Sequence, residues 1–231
     1  MYYDLHIHSC LSPCSQDEMT VNNIVNMSLV KDLDLIAICD HNSTKQLETF
    51  QKVSEGKIQV LYGVEIQTIE EVHVLGYFTS YEKIKPLQEW LDEKLIRIPN
   101  NPRFFGNQFI CDENDEVIAS EDTLLISSVN ASIHEVCRKL HELGGTVVLA
   151  HVLHRKNSVM TQLGFIPMDL EYDGIEINFE DDMNKIRERN PHLKENVFWL
   201  INSDAHQLVD ISEPQNVLSK QAMDALWGKC L

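Results

Sequence analysis

The stretch Tyr3-Asp4-Leu5-His6-Ile7-His8-Ser9 decides the fold that this sequence predicts. The run from Tyr3 to Ile7 has the length and apolar content of a buried β-strand. Two histidines, His6 and His8, stand at its end. Because residues i and i+2 of a strand point to one face, both imidazoles can hold the same ion. The stretch therefore predicts a strand that carries metal ligands at its carboxyl end.

Similar short runs recur along the chain, with helical periodicity in most of the gaps between them. The predicted strands are Tyr3 to Ile7, Asp34 to Cys39, Val60 to Ile66, Val72 to Phe78, Thr146 to Ala150, Gly174 to Ile177 and Val197 to Ile201. The predicted helices are Val21 to Leu33, Ser43 to Glu55, Tyr81 to Arg97 and Ser132 to Leu143. Alternating strands and helices favour an α/β fold with a largely parallel sheet, open or closed into a barrel.

The length of 231 residues is ordinary for one α/β domain, and we expect a single domain over residues 1–231. An inserted segment at about 99–130 interrupts the alternation, with a predicted hairpin and acidic turn in FICDENDEVIA at 109–119. We expect a last short helix, Ser219 to Trp227, to pack on the outside of the barrel. The sequence gives no oligomeric state.

The composition indicates in which compartment the protein works and which classes of partner it disfavours. With 36 acidic and 19 basic residues the net charge is -17, which disfavours long nucleic acid as a partner. No apolar run reaches the roughly 18 residues of a membrane span, so we expect a cytoplasmic protein without membrane contact. The six cysteines lack the spacing of a disulfide framework, and we expect reduced thiols. Cys10 and Cys14 could hold zinc, but no second cysteine pair completes a structural site.

Polar residues of metal-ligand type fall at the ends of the predicted strands. They are His6 and His8, Asp40 and His41, Glu65, His151, and Asp204 with His206. Because the carboxyl ends of the strands form the catalytic face of α/β barrels, we expect these side chains to converge. His73 starts its strand instead, but the seven-residue link from Glu65 is too short for a parallel crossover. An antiparallel pair would bring His73 to the same end.

Three further histidines have simpler explanations. His134, His141 and His192 lie on a helix or in a loop, where we expect structural hydrogen bonds. Asp40 is expected to orient the imidazole of His41 and not to bind an ion itself.

Imidazole and carboxylate donors without thiolate suit zinc, manganese or iron, and their number indicates two to three divalent ions. Paired ions about 3.5–4 Å apart can lower the pKa of a bridging water and align it with a phosphorus atom. Glu65, whose two oxygens can bridge two ions, and Asp204 are the predicted catalytic residues. The sequence has no glycine-rich nucleotide loop of the Walker or dinucleotide type.

Six ordered motifs carry a resemblance to a known family. They are DLHIHS at 4–9, ICDHN at 38–42, GVEI at 63–66, EVHVLGY at 71–77, AHV at 150–152 and NSDAH at 202–206. The sequence resembles the polymerase and histidinol phosphatase (PHP) domain. The resemblance implies a distorted seven-stranded (β/α)7 barrel, similar to a TIM barrel, whose trinuclear metal site hydrolyses phosphate esters through a hydroxide between the ions.

The resemblance also implies a ligand set. His6, His8 and Asp204 would hold one ion, Glu65 would bridge to a second ion held by His73 and His151, and His41 and His206 would hold the third. For the remaining ligand of the third ion, from the loop after the first strand, we select Asp17, with Glu18 as its rival. Arg155 and Lys156, with Arg103 as a further candidate, are expected to bind the substrate phosphate.

The predicted activity is hydrolysis of small phosphomonoesters or nucleotides. One alternative is an amidohydrolase that attacks C–N bonds with a similar H-x-H site. The other is a metal-binding regulatory domain without catalysis.

Overall fold

The computed structural model describes residues 1–153 and 155–228. The strands are β1 (Tyr3–Ile7), β2 (Leu35–Ile38), β3 (Gln59–Gln67), β4 (His73–Phe78), β5 (Phe109–Cys111), β6 (Val117–Ser120), β7 (Thr146–Leu149), β8 (Gly174–Glu176) and β9 (Phe198–Leu200). The helices are α1 (Val21–Val30), α2 (Leu47–Ser54), α3 (Tyr81–Ile84), α4 (Leu87–Lys94), α5 (Pro102–Phe105), α6 (Ile133–Glu142), α7 (Val159–Gln162), α8 (Asp182–Arg189) and α9 (Lys220–Trp227), with a 3-10 helix at Leu208–Asp210.

All seven predicted strands are confirmed to within two residues at each end. The predicted helix at 81–97 is wrong in one respect, because it is divided into α3 and α4. Pro86, which lacks the N–H that would continue the helix, stands at the break. α6 begins where the sequence predicts, since Ser132 and Glu135 form a reciprocal capping box at its first turn.

Seven strands form one curled sheet in the order β1-β2-β3-β4-β7-β8-β9. All neighbours pair in parallel except β4, which is antiparallel to both β3 and β7. The predicted antiparallel pairing of the strand that carries Glu65 with the strand that carries His73 is therefore confirmed. Beyond β9, Ala205 pairs with Ile7 of β1, with a 2.9 Å hydrogen bond from His8 N to Ala205 O. This contact connects the two ends of the sheet in a distorted, TIM-like barrel.

The core has two apolar clusters on opposite sides of the curled sheet. The outer cluster joins strand residues such as Ile36 and Val64 to helix residues such as Ile24. The inner cluster contains strand residues that the sheet encloses, with Leu5 and Tyr77 among them, and the hydroxyl of Tyr77 donates to Leu5 O at 2.8 Å. Strands buried on both faces explain the continuous apolar runs of the sequence.

A register shift of one residue interrupts β1 between Asp4 and Ile7, as in a β-bulge. Leu5 packs in the inner cluster, whereas Ile7, two residues later, packs in the outer cluster. Strict alternation would keep Leu5 and Ile7 on one face. The bulge instead turns His6 and His8 to the enclosed side. Bulges beside functional sites commonly redirect side chains in this way.

The segment at 99–130 adds α5 and the β5–β6 hairpin, which forms a separate two-stranded sheet. The sequence analysis expected α9 to pack on the outside of the barrel, and this expectation is wrong. The α9 residues Ala222 and Leu226 join the inner cluster, and Ala225 O accepts from Thr146 at the start of β7. The helix therefore covers the amino ends of the strands. None of the described helices combines the length and the apolar character that a membrane crossing requires.

Candidate metal centre

The Glu65 carboxylate lies at the centre of the predicted ligands. Its oxygens approach five imidazoles, at 2.8 Å to His73 Nδ1, 3.0 Å to His151 Nε2, 3.0 Å to His41 Nδ1, 3.4 Å to His6 Nε2 and 3.4 Å to His8 Nε2. Asp204 Oδ1 lies 3.5 Å from His6 Nε2, 3.3 Å from His8 Nε2 and 3.7 Å from His206 Nδ1. The structure thus brings together eight of the nine predicted ligands, and Asp17 is the one it leaves apart.

The ring nitrogens face one another in a way that fits bound cations. His6 Nε2 lies 3.1 Å from His8 Nε2, and His73 Nδ1 lies 3.3 Å from His151 Nε2. A pair of neutral imidazole nitrogens at this distance can share one proton at most, whereas a cation between them uses both lone pairs. His41 Nδ1, although 3.0 Å from Glu65 Oε2, lacks hydrogen-bond geometry in its buried position.

The predicted ligands form three groups of three residues, and within each group the ligand atoms lie within 4.8 Å of one another. They are His6, His8 and Asp204; His41, Glu65 and His73; and His8, His41 and His206. The first equals the set predicted for one ion. His151 contacts both Glu65 and His73 and so belongs beside the second. The donor set of imidazoles and carboxylates suits zinc, manganese or iron.

The buried charges of the site balance one another. Burial alone would raise the pKa of Glu65, but the surrounding histidines, first His73 and then His6 and His41, hold it well below its usual range. Burial lowers the pKa of His8, but Asp204 and Glu65 outweigh it and raise the value to about 9. Without ions, protons on the imidazoles therefore compensate the two carboxylates. Divalent ions would replace these protons, so their binding would release protons.

Glu176, at the end of β8, is a residue of the candidate site that the sequence analysis missed. Its oxygens lie 3.0 and 3.1 Å from His6 Nδ1, and Oε2 accepts from His151 N at 2.8 Å. Asn202 Nδ2 donates to Oε1 at 2.7 Å. The contact with Nδ1 leaves His6 Nε2 facing the other ligands. The signal was its position at a strand end, which Glu176 shares with Glu65.

We expect Glu176→Gln to weaken metal binding about 10–100-fold, as loss of a carboxylate behind a ligating histidine generally does. The glutamine keeps the shape of the side chain but removes the negative charge that orients His6. Competition with a chromophoric chelator measures the affinity. Glu180→Gln, which removes the same charge from an exposed site, is the matched control. Equal affinities in the two variants would contradict the assignment.

Asp40 orients a different histidine from the one predicted. Its carboxylate accepts from Ser9 Oγ at 2.6 Å and from Ser12 Oγ at 2.7 Å. Ser12 Oγ in turn lies 3.1 Å from His8 Nδ1 and accepts from the backbone N–H of His41. Asp40 therefore acts through Ser12 on the ring of His8, and on His41 only through its backbone.

Two of the predicted ligands, His151 and Asp204, are held in the left-handed backbone region, which costs non-glycine residues about 1 kcal/mol or more. The φ angles are 26° at His151 and 55° at Asp204. The backbone at His151 is held by the hydrogen bond from its N–H to Glu176. At Asp204, the next residue, Ala205, donates its N–H to Ser203 Oγ. Such strain concentrates at functional sites, where the surrounding contacts determine the conformation.

The loop after β1 does not place Asp17 or Glu18 at the cluster. Both residues are exposed, and the Asp17 carboxylate accepts two hydrogen bonds from Asn107 Nδ2, at 2.8 and 3.1 Å. Cys14 of the same loop lines the cavity over the cluster instead. Cys10, the other cysteine of this loop, is buried with its Sγ 3.6 Å from Cys111 Sγ.

A cavity of about 610 Å³ opens over the ligands. Two of the three predicted phosphate-binding cations, Arg155 and Lys156, line it. A guanidinium nitrogen of Arg155 lies 3.4 Å from Asp204 Oδ2, with about half of the side chain exposed. Arg103 is exposed on α5 and is not among the described residues of the cavity wall. The geometry therefore favours Arg155 and Lys156 over Arg103.

The remaining described histidines make the structural contacts that we expected. His134 Nε2 lies 3.2 Å from Asp169, His141 Nε2 lies 2.8 Å from Asp173, and His192 Nε2 donates to Ile166 O at 2.7 Å. The hydrogen bond that the Asp173 carboxylate accepts from His141 raises the pKa of this histidine, and partial burial opposes the rise. None of the three joins the cluster.

The His141 contact predicts a pH-dependent stability. A histidine whose folded pKa is raised stabilises the fold below its unfolded pKa, and this contribution disappears as the pH rises through the folded value. We expect His141→Gln to lower the free energy of unfolding by up to about 1 kcal/mol near pH 6 and by less near pH 9. Urea unfolding at both pH values measures it. His134→Gln, which removes a more exposed pair, is the control, and a pH-independent loss would contradict the charge interaction.

The chain matches one protein family and is similar in fold to several solved structures. Residues 4–158, about two thirds of the chain, match the family model described as PHP domain. No curated protein matches the sequence. The fold is similar to that of the lesion-specific endonuclease EndoQ from Pyrococcus furiosus, with a TM-score of 0.64 and 19% identity over 89% of this chain. The chain spans only about half of EndoQ, 48% of its length.

Two further solved structures match over nearly their whole length. One is described as a metal-dependent phosphoesterase from Bifidobacterium adolescentis, with a TM-score of 0.59 and 18% identity, and the other is an amidohydrolase from Chromobacterium violaceum, with a TM-score of 0.61 and 18% identity. Each match covers 96% of this chain and 93% of the other. At such identities the likeness shows the fold, which hosts more than one chemistry.

Proposed function

Because the chain belongs to the PHP domain family, we propose that it is a metal-dependent phosphoesterase acting on small phosphomonoesters or nucleotides with two to three divalent ions. The observation that carries the proposal is the position of Glu65, whose two oxygens lie between different groups of imidazoles. Oε1 faces His73 and His151, and Oε2 faces His41 and His8. A carboxylate so placed can serve two ions together.

The residues divide the work of hydrolysis among them. His6, His8 and Asp204 would hold one ion, and His73 and His151 a second one, with Glu65 between them. When bound, such ions supply Lewis acidity and an activated water near neutral pH. The protein fixes the ligand atoms through Glu176 and Ser12, which leave the facing nitrogens of His6 and His8 directed inwards.

The charge distribution supports a small substrate. The net charge of -17 opposes the approach of a polyanion, but Arg155 and Lys156 give the cavity wall a local positive charge. The amidohydrolase with a similar fold contains bound sulfate, which has the shape and charge of a phosphate group. EndoQ was solved with a 27-mer DNA duplex, but this chain spans about half of that protein.

We expect Arg155→Ala to raise KM for a phosphomonoester about tenfold, because a charge-assisted hydrogen bond contributes about 1.5–3 kcal/mol. Lys156→Ala should have a smaller effect, since an ammonium contacts phosphate as a point charge without a paired fork. Steady-state kinetics measures both. Arg103→Ala, a change of the same charge outside the cavity, should leave KM unaltered, and a KM effect at Arg103 alone would contradict the placement.

The test of the function compares three activities of the metal-loaded protein. We expect phosphate release from p-nitrophenyl phosphate, loss of that activity on chelation, and recovery with added manganese or zinc. Ammonia release from amides without phosphate release would support the amidohydrolase alternative. Fewer than two bound ions and no hydrolysis of either substrate would support a regulatory, non-catalytic domain. A DNA duplex with an abasic lesion should remain uncleaved.

A further inference from the structure

Cys14 differs from the other described cysteines in its surroundings. Cys10, Cys39, Cys111 and Cys137 are buried, whereas Cys14 is exposed and lines the cavity together with His41 and His206. A thiol in this position faces ligand atoms and not the apolar core.

The loop of Cys14 is fastened to the site by backbone hydrogen bonds. Gln16 N donates to His206 O at 3.0 Å, and Ser15 N donates to Ser12 O at 2.9 Å. These bonds enclose Cys14 on both sides and hold it next to the His206 segment. The hydrogen bond from His206 Nδ1 to Asp204 O, at 2.7 Å, leaves Nε2 of that ring available to an ion.

His41 provides a second, independent sign of a ligand at this place. The residue is 5% exposed, and its Nδ1, although 3.0 Å from Glu65 Oε2, makes no hydrogen bond. A buried imidazole without a hydrogen-bond partner at this atom is costly unless something else occupies the site. Asp17, which the sequence analysis selected as the companion of His41 and His206, is instead engaged by Asn107.

We propose that Cys14 is a ligand of the ion held by His41 and His206, and that it makes this position prefer a thiophilic ion such as Zn²⁺ over Mn²⁺. The inference rests on the proposed multi-ion site. On binding, the Cys14 thiol loses its proton to solvent and a sulfur–metal bond forms, with no change of oxidation state. Thiolate is a soft ligand that favours zinc, whereas carboxylate and water suit manganese.

The experiment uses Co²⁺ as a spectroscopic probe, because a cobalt–thiolate bond gives a near-ultraviolet charge-transfer band that histidine and carboxylate ligands do not produce. The full chain carries Cys230→Ser throughout, since residue 230 lies outside the described residues. Metal-free protein is titrated with Co²⁺ under reducing, anaerobic conditions. The compared variants are Cys14→Ser, Cys14→Asp and Asp17→Asn, and elemental analysis counts the ions in each.

We expect the band in the parent protein and in Asp17→Asn, and its loss in both Cys14 variants. Cys14→Ser should weaken one ion at least about a hundredfold, the upper end of the loss caused by removing a partner behind a ligand. Cys14→Asp should keep the ion count but bind Mn²⁺ better relative to Zn²⁺. Bound Zn²⁺ should also protect Cys14 from alkylation by iodoacetamide.

Several results would overturn the inference. They are a parent protein that binds ions without the band, a band that persists in Cys14→Ser, and an ion lost from Asp17→Asn but kept in Cys14→Ser. If the parent protein binds at least two ions and hydrolyses phosphate esters in any of these cases, the proposed function stands while the role of Cys14 fails. A parent protein that binds no ions contradicts both.

Discussion

Glu65→Gln is expected to abolish phosphate-ester hydrolysis and to remove at least one ion, with the fold retained. The carboxylate contacts five imidazoles from different strands and loops, so its charge would serve at least two of the proposed ions. A carboxamide has the same shape but presents one neutral oxygen and an NH₂ group that repels cations. Loss of several kcal/mol of transition-state stabilisation corresponds to a rate decrease of about a hundredfold or more.

Elemental analysis, p-nitrophenyl phosphate turnover and circular dichroism together measure this result. Glu65→Asp keeps the charge on a shorter side chain and should retain part of the metal. Comparison of the two variants therefore distinguishes the effect of the negative charge from the effect of side-chain length. Glu55→Gln, at an exposed carboxylate after α2, is the matched control. A folded Glu65→Gln protein with its full ion content and unaltered turnover would refute the central role of Glu65.

Asp204→Asn is expected to have a comparable effect on turnover with a smaller effect on structure. Asparagine tolerates the left-handed backbone at least as well as aspartate does, so the φ of 55° at this position can be kept. The variant therefore removes the charge that faces His6 and His8 and leaves the turn. We expect a decrease of about a hundredfold or more in kcat.

His8→Ala should produce the same loss, because His8 shares its ion with Asp204. Asp210→Asn, in the exposed 3-10 helix, is the control for the charge change. Single-turnover kinetics at saturating metal distinguishes a lost catalytic group from weakened metal binding. Full activity of Asp204→Asn and His8→Ala at every metal concentration would show that the reaction takes place elsewhere.

Local patterns in the sequence predicted most of the fold. Runs buried on both faces are readable as strands, and the short link between Glu65 and His73 was enough to predict their antiparallel pairing. The convergence of the ligands followed from the same reasoning, since parallel strands present their carboxyl ends together. The helix at 81–97 was divided because one proline outweighed an otherwise continuous periodicity.

Contacts between distant segments could not be predicted in this way. Glu176 meets His6 across 170 positions, and the hydrogen bond that engages Asp17 comes from Asn107 in the inserted segment. The position of Cys14 depends on a bond between the first loop and His206. α9 covers the end of the barrel because the inner cluster needs Ala222 and Leu226, a requirement that periodicity does not reveal.

The bulge in β1 makes the spacing of the first motif as important as its composition. Removing one residue between Asp4 and Ile7 would restore regular alternation and exchange the surroundings of the two halves of the strand. Either the histidines would be directed towards the helices or the apolar residues before them would leave the enclosed core. A point substitution in this strand therefore changes one side chain, whereas a single-codon deletion would misdirect several at once. Transfer of the H-x-H pair to another barrel would succeed only with the extra residue included.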